Sequence, residues 1–148
     1  MSDNRKYYYL KFKENYFEQD HIKAIEAHPN GYEYSLIILK LYLKSLKFNG
    51  QLMINERIPY MREKLEVLSN VIGHKPAEVG MAVGMARDLG IIEIVSSGEM
   101  FMADIQNFIG LSSTEGDRKR EYRKMIESKK ESGQMSGQMS DKRPPEIE

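Results

Sequence analysis

A mainly helical α+β domain is predicted by three observations on this 148-residue sequence. Apolar residues recur at helical spacing through 32–48, 59–72 and 76–89. A short Gly73-His74-Lys75 turn separates the last two stretches. The β-branched run Ile91-Ile92-Glu93-Ile94-Val95 is then turned by Ser96-Ser97-Gly98 onto Glu99-Met100-Phe101-Met102, which reads as a hairpin.

In chain order, Tyr7-Tyr8-Tyr9-Leu10-Lys11-Phe12 alternates in part and predicts a short strand or an extended arm. Asp20 to Glu26 predicts a helix with Ile22 and Ile25 on one face and Asp20 as its N-cap, and His28-Pro29-Asn30-Gly31 ends it. The stretch from Tyr32 to Phe48 predicts the central core helix: a buried cylinder relieved by one polar stripe of Lys40, Lys44 and Lys47. Asn49-Gly50 stops it. Gln51-Leu52-Met53-Ile54 is a short strand candidate.

Met61, Leu65, Leu68 and Ile72 predict a helix from Pro59 to Ile72. Pro76 suits the first position of the next helix, which has Val79, Val83, Ala86 and Leu89 on one face and Gly90 as a left-handed cap. Helix, tight turn, helix and hairpin form the order of a winged helix-turn-helix. The whole order carries that reading, because two amphipathic helices around a glycine turn are common by themselves. A small α+β domain without DNA contacts shares much of the pattern.

The sequence has 22 basic and 22 acidic side chains, and its pI of about 6.9 argues at first sight against a nucleic-acid binder. The balance is uneven along the chain. Residues 1–116 sum to −2, residues 117–130 to +4 and residues 131–148 to −2. The expected organisation is a domain over 1–112, a basic helical extension over 113–130, and a disordered tail or linker over 131–148. Ser132-Gly133-Gln134-Met135, its repeat at 136–139 and Pro144-Pro145 make that tail, which buries too little to offset chain entropy. A longer relative is expected to carry another domain beyond such a linker.

Several classes of chemistry are excluded. Without Cys there are no disulfides, iron–sulfur clusters or thiolate zinc sites. His21, His28 and His74 lack zinc-like spacing and read as surface or turn residues. Glu63 with Glu66, and Asp20 with Glu26, read as helix-surface charges rather than catalytic pairs. There is no Gly-rich phosphate loop and no nucleophile elbow. No cofactor and no metal are expected, no membrane span is long enough, no signal peptide is evident, and a cytoplasmic protein that is not an enzyme is the default.

The candidate DNA contacts fall in two places. On the second helix of the helix-turn-helix only Lys75 and Arg87 suit DNA, while Glu78 and Asp88 oppose phosphates. The basic segment offers Arg118, Lys119, Arg120, Arg123 and Lys124 for salt-sensitive backbone contact with little base readout. As a helix it is marginal alone, its apolar content being Tyr122, Met125 and Ile126, and a solvated charged helix reads the same way. Gly80, Met81, Gly84 and Met85 make a smooth patch open to three readings: protein contact, internal packing or DNA. The N-terminal tyrosines suit core packing or, alternatively, stacking on single-stranded bases.

Lys6 to Glu14, Ile22-Lys23-Ala24-Ile25, Ile37 to Leu43, and Val79 to Ile92 ending in Leu89-Gly90-Ile91-Ile92-Glu93 together resemble the N-terminal domain of phage replisome organizers. Asn107-Phe108-Ile109-Gly110, then Ser112, Ser113 and Arg118 to Lys124, resemble that domain's end. The similarity covers roughly residues 5–130 and extends to the winged-helix N-terminal domain of DnaD-type primosomal proteins, which serves largely for self-association. The resemblance implies a phage or prophage protein in a bacterial host that binds replication-origin DNA and helps bring in a host helicase or helicase loader. Loader contacts housed in the family's further C-terminal region are not carried over. The alternatives are an oligomerisation or loader-contact module without DNA affinity, and a winged-helix transcription regulator.

Overall fold

The computed structural model describes residues 8–109 and 115–138, with side chains in the second stretch placed for 119–130. Helix α1 spans Asp20–Glu26, with Ile22 and Ile25 buried against α2. Its flanking residue is Gln19, which corrects the N-cap expected at Asp20: Asp20 is the first helical residue and makes no side-chain cap bond. A carboxylate in the first turn still meets the positive end of the helix, so the acidic residue suits either position.

Helix α2 spans Gly31–Ser45 and tightens into a 3-10 turn at Leu46–Phe48. Asn49 and Gly50 then take φ of 57° and 105°, the left-handed conformations that stop it. Ile37, Ile38, Leu41 and Tyr42 form the centre of the core. The buried cylinder is corrected in part, since Tyr32, Leu36 and Leu43 remain exposed. The helix carries apolar residues around more of its circumference than α1 and the later elements cover.

The predicted helix from Pro59 is also corrected: α3 spans only Leu65–Ile72. Upstream, Met53 bridges Pro59, Met61 bridges Glu99, and the Arg62 N–H donates to the Gly98 carbonyl at 2.8 Å. Backbone groups committed to these non-helical bonds are not free to wind a helix. The strand candidate at 51–54 forms single bridges rather than a strand, Gln51 with Phe101 and Met53 with Pro59.

Helix α4 spans Pro76–Asp88 and buries Val79, Ala82, Val83 and Ala86 against α2 and α3. Leu89, expected on that buried face, is 40% exposed because the chain leaves the helix there, at φ −90° and ψ 1°. Gly90 follows at φ 81°. Strands β1 (Ile92–Ile94) and β2 (Met100–Met102) pair antiparallel, with Ile92 opposite Met102, Glu93 opposite Phe101 and Ile94 opposite Met100.

All three residues of β2 are buried, although alternate side chains point to opposite faces. Both faces must therefore be covered, and one cover is helix α5, Glu115–Gln138. Tyr122 and Ile126 of α5 are buried, the Tyr122 hydroxyl donates to the Met102 carbonyl at 2.7 Å, and the Lys129 ammonium lies 5.9 Å from the centre of the Phe101 ring. The expected basic extension is thus a docked part of the body. The helix also runs past residue 130 to Gln138, since extending a formed helix is far easier than nucleating one. Residues 139–148 lie outside the described residues.

The N-terminal segment forms no strand from residue 8 onward; residue 7 lies outside the described residues. It is an extended arm held by the Lys11 N–H on the Phe108 carbonyl at 2.7 Å. Phe12, Tyr16 and Phe108 stack with centroids 4.9–6.0 Å apart, and Phe108 meets Tyr42 at 4.7 Å.

Beneath this cluster the Tyr42 hydroxyl hydrogen-bonds the Asp104 carboxylate, 3.0 and 2.9 Å from its two oxygens. Burial pushes the Asp104 carboxyl up against the lowering effect of that bond. A raised acid binds its proton more tightly in the folded state, so its stabilising contribution holds at acid pH and is lost as pH rises through the raised value. Asp104→Asn is therefore expected to melt higher than the parent at neutral pH. The gap should close as pH falls below the ordinary Asp range, a trend that thermal melts across pH would follow. Among the described residues no helix is long and apolar enough to cross a membrane.

Candidate nucleic-acid interface

The turn between α3 and α4 is built on a polar cluster. His74, with its side chain 9% exposed, stands between Lys40 and Glu33 of α2. The Lys40 ammonium can only donate, so His74 Nε2 accepts at 3.0 Å. The network thereby assigns the ring proton to Nδ1, which donates to Glu33 at 2.7 Å. Lys40 also donates to the Ile72 carbonyl at 2.8 Å, satisfying the C-terminal end of α3. Asn30 donates to Glu33 at 3.0 Å and to Glu78 at 2.8 Å, tying the start of α2 to the first turn of α4. The bonds from His74 and Asn30 hold the Glu33 carboxyl below its ordinary range.

This cluster decides what the start of α4 can meet. A cleft of about 390 Å³ beside it is lined by Glu33, Ser69, Asn70, Gly73, His74, Lys75 and Glu78. Lys75 is exposed there, but two carboxylates share the cleft and oppose a phosphate. Arg87 lies near the other end of α4, about 18 Å away at 1.5 Å per residue. It is exposed and 3.6 Å from Asp88, a surface pair of little weight. The structure does not bring Lys75 and Arg87 together.

The glycine patch is resolved further. A Cβ at Gly84 would meet nothing within 4 Å, and one at Gly80 would only touch Leu65 Cδ1 at 3.9 Å. Crowding inside the domain is therefore not what requires glycine at either position. Met81 beside them is half exposed and Met85 packs partly against the core.

On α5, three basic side chains face the hairpin. Arg123 and Lys130 each lie 2.7 Å from Glu93, Arg123 also lies 2.9 Å from Glu127, and Lys129 lies 4.0 Å from Glu99. Arg120, Arg123 and Lys124 line a shallow outward cleft of about 390 Å³ with Glu127 and Ser128. Lys119 and Lys124 are exposed on the same helix, while the Arg118 side chain lies outside the described residues. The contacts of α5 include the hairpin, Gly50 and the 105–107 turn, whereas α4 packs on α2, α3 and β1.

Sequence reasoning missed Glu93 as a partner of the basic segment, Glu33 and Lys40 as partners of His74, and Asn30 as the link between Glu33 and Glu78. Residue type offered one signal for the second group: a histidine placed in a turn between two packed helices needs two hydrogen-bond partners when it is buried. Fold and site together define a mainly helical α+β domain that concentrates positive charge on one docked helix. Residues 9–130 match the N-terminal phage replisome organiser family, and the chain belongs to that family. Its role lies in phage replication. No curated protein and no solved structure matches the chain.

Proposed function

We propose that this chain is a non-enzymatic, origin-binding replisome organiser that contacts duplex DNA first through the outward side of α5. The observation that carries this reading is the docking of a helix with seven basic residues over 117–130 by Tyr122 and Ile126. A docked helix presents its cations at a fixed place on the body, so less ordering entropy opposes DNA binding than for a free extension. The element order supports a winged helix, with α3 and α4 as the helix-turn-helix and the β1–β2 hairpin as the wing. Carboxylates at the start of α4 argue that this helix contributes little base readout, leaving Lys75 and Arg87 as flanking contacts. Lys119, Arg120 and Lys124, with Arg118, are the main backbone contacts.

Fluorescence anisotropy of the full chain on duplex DNA, at about 50 and about 200 mM salt, tests the reading. Binding that weakens steeply with salt is expected, and its absence at both concentrations would remove DNA from the function.

A second reading, self-association or contact with a host helicase or its loader through Gly80, Met81, Gly84 and Met85, is favoured by the open space at Gly84. Gly84→Ala should stabilise the monomer by about 0.5–1 kcal/mol, since only helix propensity changes. If a partner helix lies close against residue 84, the same substitution should reduce the mass seen by light scattering at high concentration. An unchanged oligomeric state would confine residue 84 to a surface role.

A further inference from the structure

We infer that Glu93 masks part of the basic helix from DNA, its carboxylate standing where a backbone phosphate would otherwise sit for Arg123 and Lys130. The inference rests on the reading of α5 as the DNA contact. Arg123 and Lys130 are seven residues apart, two helical turns, and so share one side of α5. Glu93 is the central residue of β1, its side chain 19% exposed, and it gives one oxygen to each cation: Oε2 to Arg123 Nη2 and Oε1 to Lys130 Nζ, both 2.7 Å. Both are close ion pairs. Burial pushes the Glu93 carboxyl up, but Lys130 and Arg123 outweigh it and hold the group below the ordinary carboxylate range.

The contact that anchors α5 is buried by Tyr122 and Ile126, apart from this pair. What the pair controls is the availability of the cations. Arg123 and Lys130 remain 44% and 35% exposed, and Arg123 borders the outward cleft that Arg120 and Lys124 line. A phosphate reaching that cleft competes with the Glu93 carboxylate for the Arg123 guanidinium. Arg123 has a second carboxylate partner, Glu127, and Lys129 is drawn toward Glu99. The hairpin thus lowers the number of phosphates that α5 can neutralise, and with it the affinity and the salt dependence.

The test compares the full chain with Glu93→Gln, which keeps the shape and removes the charge, by anisotropy on duplex DNA across a salt series. About tenfold tighter binding and a log–log salt slope steeper by about 1–2 are expected for Glu93→Gln. Arg123→Gln with Lys130→Gln in that background should remove the gain. Equal or weaker binding by Glu93→Gln overturns the inference and leaves the DNA reading standing. Binding by Glu93→Gln alone supports masking and shows that the parent chain is closed to DNA; no binding by either overturns both. If Glu93→Gln loses helical circular dichroism, single variants of the otherwise unaltered chain decide. Masking requires Arg123→Gln to lose less affinity than Lys124→Gln, and an equal or larger loss overturns it.

Discussion

Replacing Tyr122 with Ala is expected to destabilise the whole domain by about 3–5 kcal/mol, the range for emptying a buried aromatic site. Tyr122 is 6% exposed and fills the space above Gly50, where a Cβ would overlap its hydroxyl. Its hydroxyl donates to the Met102 carbonyl, which the truncation would leave buried without that partner. Tyr122→Phe keeps the ring and loses only the hydrogen bond, so about 1 kcal/mol is expected. Urea unfolding followed by far-ultraviolet circular dichroism checks both values, with α5 melting together with the body in the parent chain. An unchanged midpoint for Tyr122→Ala would mean that α5 is not part of the cooperative unit. The same packing makes truncation before α5 a poor probe of DNA binding, because it uncovers Phe101 and Met102 along with removing charge.

Much of the helical scaffold was legible because its determinants are local. Ile22 with Ile25, and Val79, Val83 and Ala86, announce their buried faces through spacing alone. Asn49, Gly50, Gly73, Gly90 and Gly98 all have positive φ, so turn chemistry marked the ends of elements where it was expected to. Residues 59–64 misled because Met61 stands four before Leu65, a helical interval, while its backbone pairs with Glu99, 38 residues later. Pairing of that kind leaves no periodic trace.

The site was less legible than the fold. Tyr122 and Ile126 looked too few to hold a helix, because the partners of Tyr122, Met102 and the space above Gly50, lie far earlier in the chain. Glu93 read as the polar member of a hairpin strand, and only the folded chain sets it between Arg123 and Lys130. Likewise His74 was read as a turn or surface residue, while its partners Glu33 and Lys40 come from another helix. Charge counting located the basic segment correctly along the sequence. It could not say which of the cations the protein's own carboxylates already engage.

The largest effect on function is expected from the outward cations of α5. Each phosphate neutralised contributes about 0.9 to the log–log salt slope on duplex DNA. Replacing Lys119, Arg120 and Lys124 together with Gln should then flatten the slope by up to about 2.7. Affinity near 0.1 M salt should fall by about a hundredfold or more, judged against about 1 M, where the ionic contribution vanishes. Stability should change little, because the buried anchors Tyr122 and Ile126 are untouched. The paired control, Lys75→Gln with Arg87→Gln at the two ends of α4, should flatten the slope by less. The salt slope of the α5 triple variant against that of the parent, on the same duplex, is the decisive measurement. A slope reduced by about 2–3 with an unchanged melt is the expected result, and an unchanged slope in a folded variant would contradict the assignment of DNA contact to α5.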